Sequence, residues 1–178
     1  MKWLVFALLT VAVSLGLAQE APEIDGNPEA PSLDELLQGP TNNLVLHQLI
    51  LAIDESPKGQ LGAWQFEYEG HVLICITDEV ADRMRIMTNI IGLDSVSEEQ
   101  MAECMEANFD RALDARYCIN HGALWGAFIH PLSTLAPKDF LAAVHQVASL
   151  KENFGTTYSS DHLIYRGGEE AQEAERKA

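Results

Sequence analysis

The chain has 178 residues, of which 47% are hydrophobic and 21% charged, with 27 Asp and Glu against 11 Lys and Arg. A formal net charge of −16 argues against binding to nucleic acid or to anionic membrane surfaces, because both require clustered Lys and Arg. Cys75, Cys104 and Cys118 are an odd set, so at most one intramolecular disulfide can form and the chain is not a disulfide scaffold.

Residues 1–18 have the pattern of a signal peptide. Lys2 provides a positive start, an apolar run follows, and Gly16-Leu17-Ala18 is a small-x-small cleavage site. We therefore expect export to a periplasm or the extracellular space, with no membrane insertion after cleavage. The alternative is an uncleaved anchor, but the run is short for a hydrocarbon layer of about 30 Å. Removal of the leader before Gln19 takes away one cation and changes the net charge from −16 to −17.

Composition divides the rest of the chain into three parts. Residues 19–31 are acidic and rich in proline, and are expected to be a disordered arm because they cannot bury enough apolar area to offset ordering. Residues 32–166 are expected to form a single α+β domain. Residues 167–178 are expected to form a charged, flexible tail.

The domain is predicted to begin with helical segments. Ser32 and Glu35 have the spacing of a capping box, which predicts a short helix. Residues 43–54 form a second helical segment that is apolar on most sides, which favours deep burial or an interface. Residues 56–59 (Ser-Pro-Lys-Gly) mark its end.

A period of two then predicts strands. Trp64, Phe66 and Tyr68 alternate with polar residues, which is typical of a strand with one buried face. The other expected strands are residues 71–77, 84–91, 116–119 and 123–129. Asn120-His121-Gly122 is suitable for the hairpin that joins the last two, since Asn and Gly tolerate positive φ.

Two further helices complete the pattern. Ser97 and Gln100 form a second capping box. The helix that it opens has one stripe of regularly spaced residues: Met101, Cys104, Met105, Asn108, Phe109 and Ala112. Pro137 starts a final amphipathic helix that Gly155 closes. The predicted fold is therefore α+β, an about five-stranded antiparallel sheet with three helices on one face, in the order helix, three strands, helix, two strands, helix.

Over roughly residues 42–155 this core resembles the type III secretion chaperone-like fold, in both its Tir chaperone (CesT) group and its YbjN group. Four segments carry the likeness: Asp82-Arg83-Met84-Arg85-Ile86, Cys104-Met105-Glu106-Ala107-Asn108, Ala115-Arg116-Tyr117-Cys118-Ile119 and Pro131-Leu132-Ser133-Thr134-Leu135. The resemblance implies a small homodimer that holds partner polypeptides and has no enzymatic activity. Secretion chaperones work in the cytoplasm, whereas this chain carries a leader, which argues against a type III effector as the partner.

Four residues are candidates for protein binding. Arg83 and Arg85 project from one side of their strand, because side chains alternate, and could receive a carboxylate or an acidic partner segment. The alternative is pairing with the local acids: Asp78, Glu79 and Asp82. Trp125 has the opposite parity to Phe128, so it is expected on the sheet face that the helices leave uncovered, where it is a candidate for a dimer seam. Trp64 could face either layer.

Other chemistry has little support in the sequence. The six histidines form no His-x-x-x-His or His-Glu-x-x-His pair, and no phosphate-binding loop is present, so no metal, cofactor or catalytic residue is predicted. The expected function is that of a non-enzymatic, exported, dimeric protein-binding module, acting as a chaperone or regulatory accessory factor. The first alternative is a small apolar-ligand carrier with a cavity lined by Met84, Met101, Met105 and Phe109. The second is a hydrolase using Cys118 or Cys75 with a histidine.

Overall fold

The computed structural model describes residues 39–161. The expectations for the leader, the acidic arm, the Ser32 helix and the tail lie outside the described residues. The described helices are α1 Asn43–Ile53, α2 Glu98–Asp110 and α3 Pro137–Glu152, and a 3₁₀ turn spans Leu93–Ser95. The described strands are β1 Lys58–Gln60, β2 Ala63–Tyr68, β3 His71–Asp78, β4 Arg83–Gly92, β5 Arg116–Asn120 and β6 Ala123–His130.

The strands form one antiparallel sheet in the order β1-β2-β3-β4-β6-β5. The α+β class and the order of elements agree with the prediction, except that the sheet has six strands and not five. The additional strand, β1, pairs Lys58 with Gln65 and Gln60 with Ala63. Ser56-Pro57-Lys58-Gly59 has the composition of a turn, but Gly59 lies within the strand with φ +111°, where a Cβ would be 2.2 Å from the carbonyl oxygen of Ala63.

The predicted hairpin chemistry is present in the structure. The turn between β2 and β3 has positive φ at Glu69 and Gly70, and the turn between β5 and β6 has it at His121 and Gly122. Two consecutive residues with positive φ are the requirement of a type I′ turn, whose twist matches that of the strands. His121, and not Asn120, takes the first of these positions in the second hairpin.

All three helices cover the same face of the sheet. That face supplies the strand residues of the core, namely Trp64, Phe66, Leu73, Cys75, Met84, Ile86, Leu124 and Phe128. Helix α3 crosses β2 to β6 and buries Phe140, Val144, Val147 and Leu150 against them. Gly126 lets α3 approach closely, since a Cβ there would lie 3.4 Å from the Cβ of Leu150. Full burial of each large apolar side chain contributes about 1.5–3 kcal/mol.

Helix α2 begins at the predicted capping box: Ser97 Oγ accepts from the Gln100 N–H, and Gln100 Oε1 accepts from the Ser97 N–H. The predicted stripe is only partly correct, because the helix is rotated so that Cys104 and Ala107 face the core. Met105 is half exposed and Phe109 is 95% exposed. At 100° per residue these two lie about 130° and 170° from the mean direction of Cys104 and Ala107, so they are on the solvent side of the helix.

The two edges of the sheet are protected in different ways. The β1 edge is only three residues long and carries Lys58, features that discourage pairing with another chain. At the β5 edge, the side chain of Asn108 on α2 binds the main chain of Tyr117. Asn108 Oδ1 accepts from the Tyr117 N–H at 2.7 Å, and Asn108 Nδ2 donates to the Tyr117 carbonyl at 3.0 Å. The amide therefore takes the place that a neighbouring strand would fill.

Candidate functional site

The side of the sheet opposite the helices carries a group of apolar side chains with two arginines among them. We call this surface the open face. It comprises Val72, Ile74 and Ile76 of β3, Arg83, Arg85 and Met87 of β4, and Trp125, Ala127 and Ile129 of β6. These residues share a face because alternate side chains of a strand point to the same side.

The strand registers bring these side chains into lines across the sheet. Two neighbouring lines are Ile74–Met87–Ala127 and Ile76–Arg85–Ile129. Ile76 and Ile129 are 45% and 58% exposed, so apolar area remains in contact with water on both sides of Arg85. A groove of about 450 Å³ runs between them and is lined by Ile76, Thr77, Asp78, Arg83, Met84, Arg85 and Ile129.

Arg83 and Arg85 are exposed on this face, while Met84 between them and Ile86 after them are buried in the core. Within residues 39–161 neither arginine forms an ion pair with a carboxylate. The polar contact that the Arg83 guanidinium makes there is to the main-chain carbonyl of Asp82, at 3.3 Å. Both guanidinium groups are therefore available to a carboxylate from outside the described domain.

The nearby acids are occupied by other groups, which explains why the expected alternative of local pairing is not realised in the described part of the chain. Asp78 Oδ1 accepts from the N–H groups of Val80 and Ala81 in the turn. Glu79 Oε1 accepts from the Asn43 N–H at 3.0 Å.

Asp82 is held by the loop that follows β6. Its Oδ1 accepts from the Ser133 N–H at 2.7 Å and its Oδ2 from the Ser133 hydroxyl at 2.9 Å. These two hydrogen bonds are the main cause that lowers the pKa of the Asp82 carboxyl, and the charge of Arg83 adds a smaller effect in the same direction. The hydrogen bonds from Ser133 favour the ionised carboxylate, so Asp82 has hydrogen-bond donors without forming an ion pair with an arginine.

The open face carries both signs of charge, since Asp78 lies opposite Arg83 and Glu67 lies opposite Val72, although the domain as a whole is acidic. Residues 39–161 contain seven Lys and Arg against 17 Asp and Glu. Arg83 and Arg85 lie within the face, and Lys58 occupies the β1 end of the line that contains Ile74. Arg116 stands at the opposite end of that line, but its guanidinium donates to the carbonyls of Leu113 and Ala115.

The two candidate tryptophans have different positions. Trp125 is half buried on the open face, where its Nε1 donates to the carbonyl of Asn120 at 3.1 Å. Trp64 is 3% exposed on the opposite side, and its Nε1 lies 3.2 Å from His47 Nδ1. Including Trp64 among the docking residues was therefore wrong in position, since an indole in the core does not reach the open face.

Sequence reasoning missed the apolar residues of the open face, above all Ile76, Ile129 and Val72. A signal for them was present, because β3 and β6 are apolar at both parities, and a strand exposed on one side normally alternates with polar residues. Apolar residues at both parities indicate that the second face of the sheet is also a contact surface.

The three cysteines are free thiols, and their environment does not suit a nucleophile. Burial raises the pKa of the Cys75 thiol to about 12 and that of Cys104 to about 11. Burial also raises the pKa of Cys118 on the open face, although the charge of Arg85 acts against it. A nucleophilic cysteine requires a lowered pKa, so the hydrolase alternative loses its reactive group.

The alternative of an apolar-ligand carrier also conflicts with the described structure. Met84 is buried in the core, whereas Phe109 points into solvent from the exposed side of α2. Met84, Met101, Met105 and Phe109 therefore cannot line one enclosed cavity. Within residues 39–161 there is no group of three or more His, Cys, Asp or Glu that could hold a metal ion. In the same part of the chain, no helix has the length and apolar character needed to span a bilayer.

Comparisons with known proteins give structural neighbours but no sequence match. No protein-family model and no curated protein sequence matches the chain. Similar solved structures come from the chaperone–effector complex of HopA1 and SchA (TM-score 0.47, 63% of this chain and 94% of that chain) and from the ExsC–ExsE complex (TM-score 0.45, 63% and 95%). A third contains the Yersinia pestis type III secretion chaperone SycH with a stable fragment of YscM2 (TM-score 0.49, 64% and 98%). Each is 11% identical in sequence.

The expected likeness to type III secretion chaperones is therefore confirmed as a similarity to their structures. At 11% identity the likeness concerns the fold and says nothing about the partner of this chain. The YbjN part of the resemblance stays a prediction.

Proposed function

We propose that this protein is an exported, non-enzymatic binding module that receives a polypeptide segment on the open face. The observation that carries the proposal is the pair Arg83 and Arg85, which have no carboxylate partner in the described domain and lie beside the exposed isoleucines Ile76 and Ile129. Exposed isoleucines and unpaired arginines do not stabilise the isolated domain. A partner with apolar and acidic side chains would bury the isoleucines and pair with the arginines.

The size of the face favours a segment over a folded partner. Six strands about 4.8 Å apart and about six residues long give a surface of about 25 Å by 20 Å, or about 500 Å². A standard interface between folded proteins covers about 800 Å² on each side. A segment of about six extended residues spans the face, since each residue contributes about 3.3 Å.

The chemistry of the face also restricts the segment. Apolar side chains would bury the exposed parts of Val72, Ile76 and Ile129, and each fully buried side chain contributes about 1.5–3 kcal/mol. Carboxylates would bind the two guanidinium groups, with geometry that can be bidentate. The preferred ligand is therefore an apolar segment with one or two Asp or Glu residues, and a basic segment is disfavoured.

Selection of peptides from a displayed random library tests this preference. We expect the selected peptides to combine apolar residues with Asp or Glu, and to lose affinity by about 10-fold or more with the double variant Ile76→Glu/Ile129→Glu, because two apolar contacts are replaced by repelling charges. Affinity is measured by fluorescence anisotropy on the wild type and on each variant.

Leu141→Glu is the matched control, because Leu141 is 47% exposed on α3, on the helical side of the sheet. It should leave peptide affinity unchanged. Peptides that bind the double variant as tightly as the wild type would exclude the open face as the docking surface.

We also propose that the protein is a homodimer, with the solvent side of α2 at Met105 and Phe109 as the contact. Phe109 is 95% exposed and Met105 lies one turn before it, so a dimer would remove a continuous apolar strip from water. Acids surround this strip at Glu106 and Asp110, so association of two copies should strengthen with salt, which screens their repulsion.

Light scattering over a concentration series measures the association. We expect a dimer for the wild type and a monomer for Phe109→Lys, since a charge replaces the central apolar contact. Val80→Lys is the control, because Val80 is equally exposed in the turn between β3 and β4, away from α2. A wild type that stays monomeric at high salt would refute the dimer.

A further inference from the structure

The chain enters the described domain at the end of the sheet where β3 ends and β4 begins, on the side of the helices. The Thr41 N–H donates to the Ser133 carbonyl at 3.3 Å, next to the loop that holds Asp82. Asn43 is bound to Thr77, whose hydroxyl donates to Asn43 Oδ1 at 2.5 Å, and Thr77 lines the groove between Ile76 and Ile129. The residues that precede Thr41 are therefore attached on the helical side of the strand ends that border this groove, and they reach the open face by passing around those ends.

The composition of that preceding segment is complementary to the open face. Residues 19–38 contain six Asp and Glu, and no Lys or Arg occurs between Lys2 and Lys58. The same segment carries Leu33, Leu36 and Leu37 among its acids. It thus has the combination of apolar and acidic side chains that the two arginines and the exposed isoleucines would bind.

The other end of the chain fits less well. Residues 162–178 contain four acids but also three cations, so their net charge is close to neutral. A second copy that binds through its own open face is no better, because it would bring its own arginines to this surface. Charge complementarity therefore selects the N-terminal segment as the occupant.

We propose that residues 31–38 dock on the open face of their own domain, with Asp34 and Glu35 at Arg83 and Arg85 and leucines in the groove beside Ile76 and Ile129. The inference rests on the proposed function, since the segment would occupy the face that receives the partner. Eight residues can extend about 26 Å, which is close to the about 25 Å width of the sheet.

The tether makes this segment a built-in competitor of the partner. A segment linked by a short connection has an effective concentration of about 1 mM at its site, so even weak docking fills the face. A partner must then displace the segment. The apparent Kd of the partner is its intrinsic Kd divided by the fraction of time that the face is free. The partner best able to compete is one that is more acidic or more apolar than residues 31–38.

Limited proteolysis with thermolysin, which cleaves before apolar residues, tests the proposal on the chain from Gln19 to Ala178. Cleavage before Leu33, Leu36 and Leu37 is followed by mass spectrometry. Arg83→Glu/Arg85→Glu should raise this cleavage rate about five-fold, as expected when two exposed ion pairs are lost. Adding Asp34→Arg/Glu35→Arg to that variant should restore slow cleavage, because the charges are exchanged between segment and face.

Lys138→Glu/Lys151→Glu is the control with the same change in net charge, placed on α3. It should cleave like the wild type. Equal cleavage rates in the wild type and in the Arg83/Arg85 variant would overturn the proposal. Protection of the segment that disappears on about a hundredfold dilution would also overturn it, because the occupant would then come from another copy.

The two proposals fail in different ways. The proteolysis contains no partner, so it measures docking of the segment alone. If peptides lose affinity with Ile76→Glu/Ile129→Glu while cleavage is the same in all variants, the binding role of the open face stands and the competitor is refuted. If cleavage responds to the arginines but the selected peptides ignore the isoleucines, the face serves its own segment and the proposed partner site is refuted.

Discussion

Replacing Asn108 by alanine is expected to lower the free energy of unfolding by about 2–4 kcal/mol, because it leaves two main-chain groups of β5 without partners. Its amide accepts from the Tyr117 N–H and donates to the Tyr117 carbonyl. Tyr117 is 2% exposed, so water does not easily replace these bonds. Urea denaturation followed by circular dichroism measures the loss.

Two further variants separate the hydrogen bonds from other effects. Asn108→Asp keeps the acceptor for the Tyr117 N–H but sets a carboxylate oxygen against the Tyr117 carbonyl, so it should destabilise by a similar amount. Glu106→Ala changes an exposed residue of the same helix and should have an effect within about 0.5 kcal/mol. A stable Asn108→Ala protein would mean that the edge of β5 finds other partners.

The same variant should also associate more readily. The β5 edge is closed in the wild type by the amide of Asn108, whereas an edge with open main-chain groups can pair with another strand. We therefore expect the Asn108→Ala protein to form larger species at concentrations where Glu106→Ala does not. Static light scattering of the two variants side by side reports this difference.

Local signals in the sequence predicted the elements well because the physics behind them is local. The capping box at Ser97 is satisfied within three residues, and the turn at His121-Gly122 depends on two φ angles. Alternation along β2 gave the correct buried face for Phe66 because a helix covers only one side of that strand. No such signal required knowledge of distant residues.

Features that depend on distant contacts were missed. Strand β1 exists only because Lys58 and Gln60 pair with β2, and its three residues have no pattern of their own. The rotation of α2 is set by the binding of Asn108 to β5 and by the burial of Cys104 and Ala107, not by the apolar stripe alone. Spacing predicts which residues share a side of a helix, but packing decides which of those sides is buried.

The candidate site was predicted in the same partial way. Parity placed Arg83 and Arg85 together correctly, since they lie two residues apart on one strand. Trp64 shares the parity of Phe66, so the alternation along β2 was itself a signal against placing it on the open face. Ile129 came next to Arg85 only through the register of β4 with β6, and no pattern in the sequence states that register.

The free energy of unfolding is expected to fall in alkaline solution, because buried groups keep their protons in the folded state. Burial raises the pKa of Cys75 from 9.0 to about 12 and that of Cys104 to about 11. Burial likewise raises the pKa of the Tyr117 phenol, whose hydroxyl donates to the Leu150 carbonyl at 2.8 Å.

The direction of the pH dependence follows from which state, folded or unfolded, loses the Cys75 proton first. Below pH 9 the Cys75 thiol is protonated in both states and has no effect on the pH dependence. Above pH 9 the unfolded chain loses this proton while the folded chain keeps it, so stability falls as the pH rises towards about 12. The loss is about 1.4 kcal/mol for each pH unit in that window.

Cys75→Ala isolates this contribution, since the slope of unfolding free energy against pH is compared and not its level. Between pH 9.5 and pH 11 the variant should lose about 1.4 kcal/mol less per pH unit than the wild type. Ile86→Val is the matched control, because Ile86 faces Cys75 across β3 and β4 and loses packing without losing a titrating group. It should be less stable at every pH with the slope of the wild type, and an unchanged slope for Cys75→Ala would show that this thiol ionises as readily in the folded protein as in the unfolded chain.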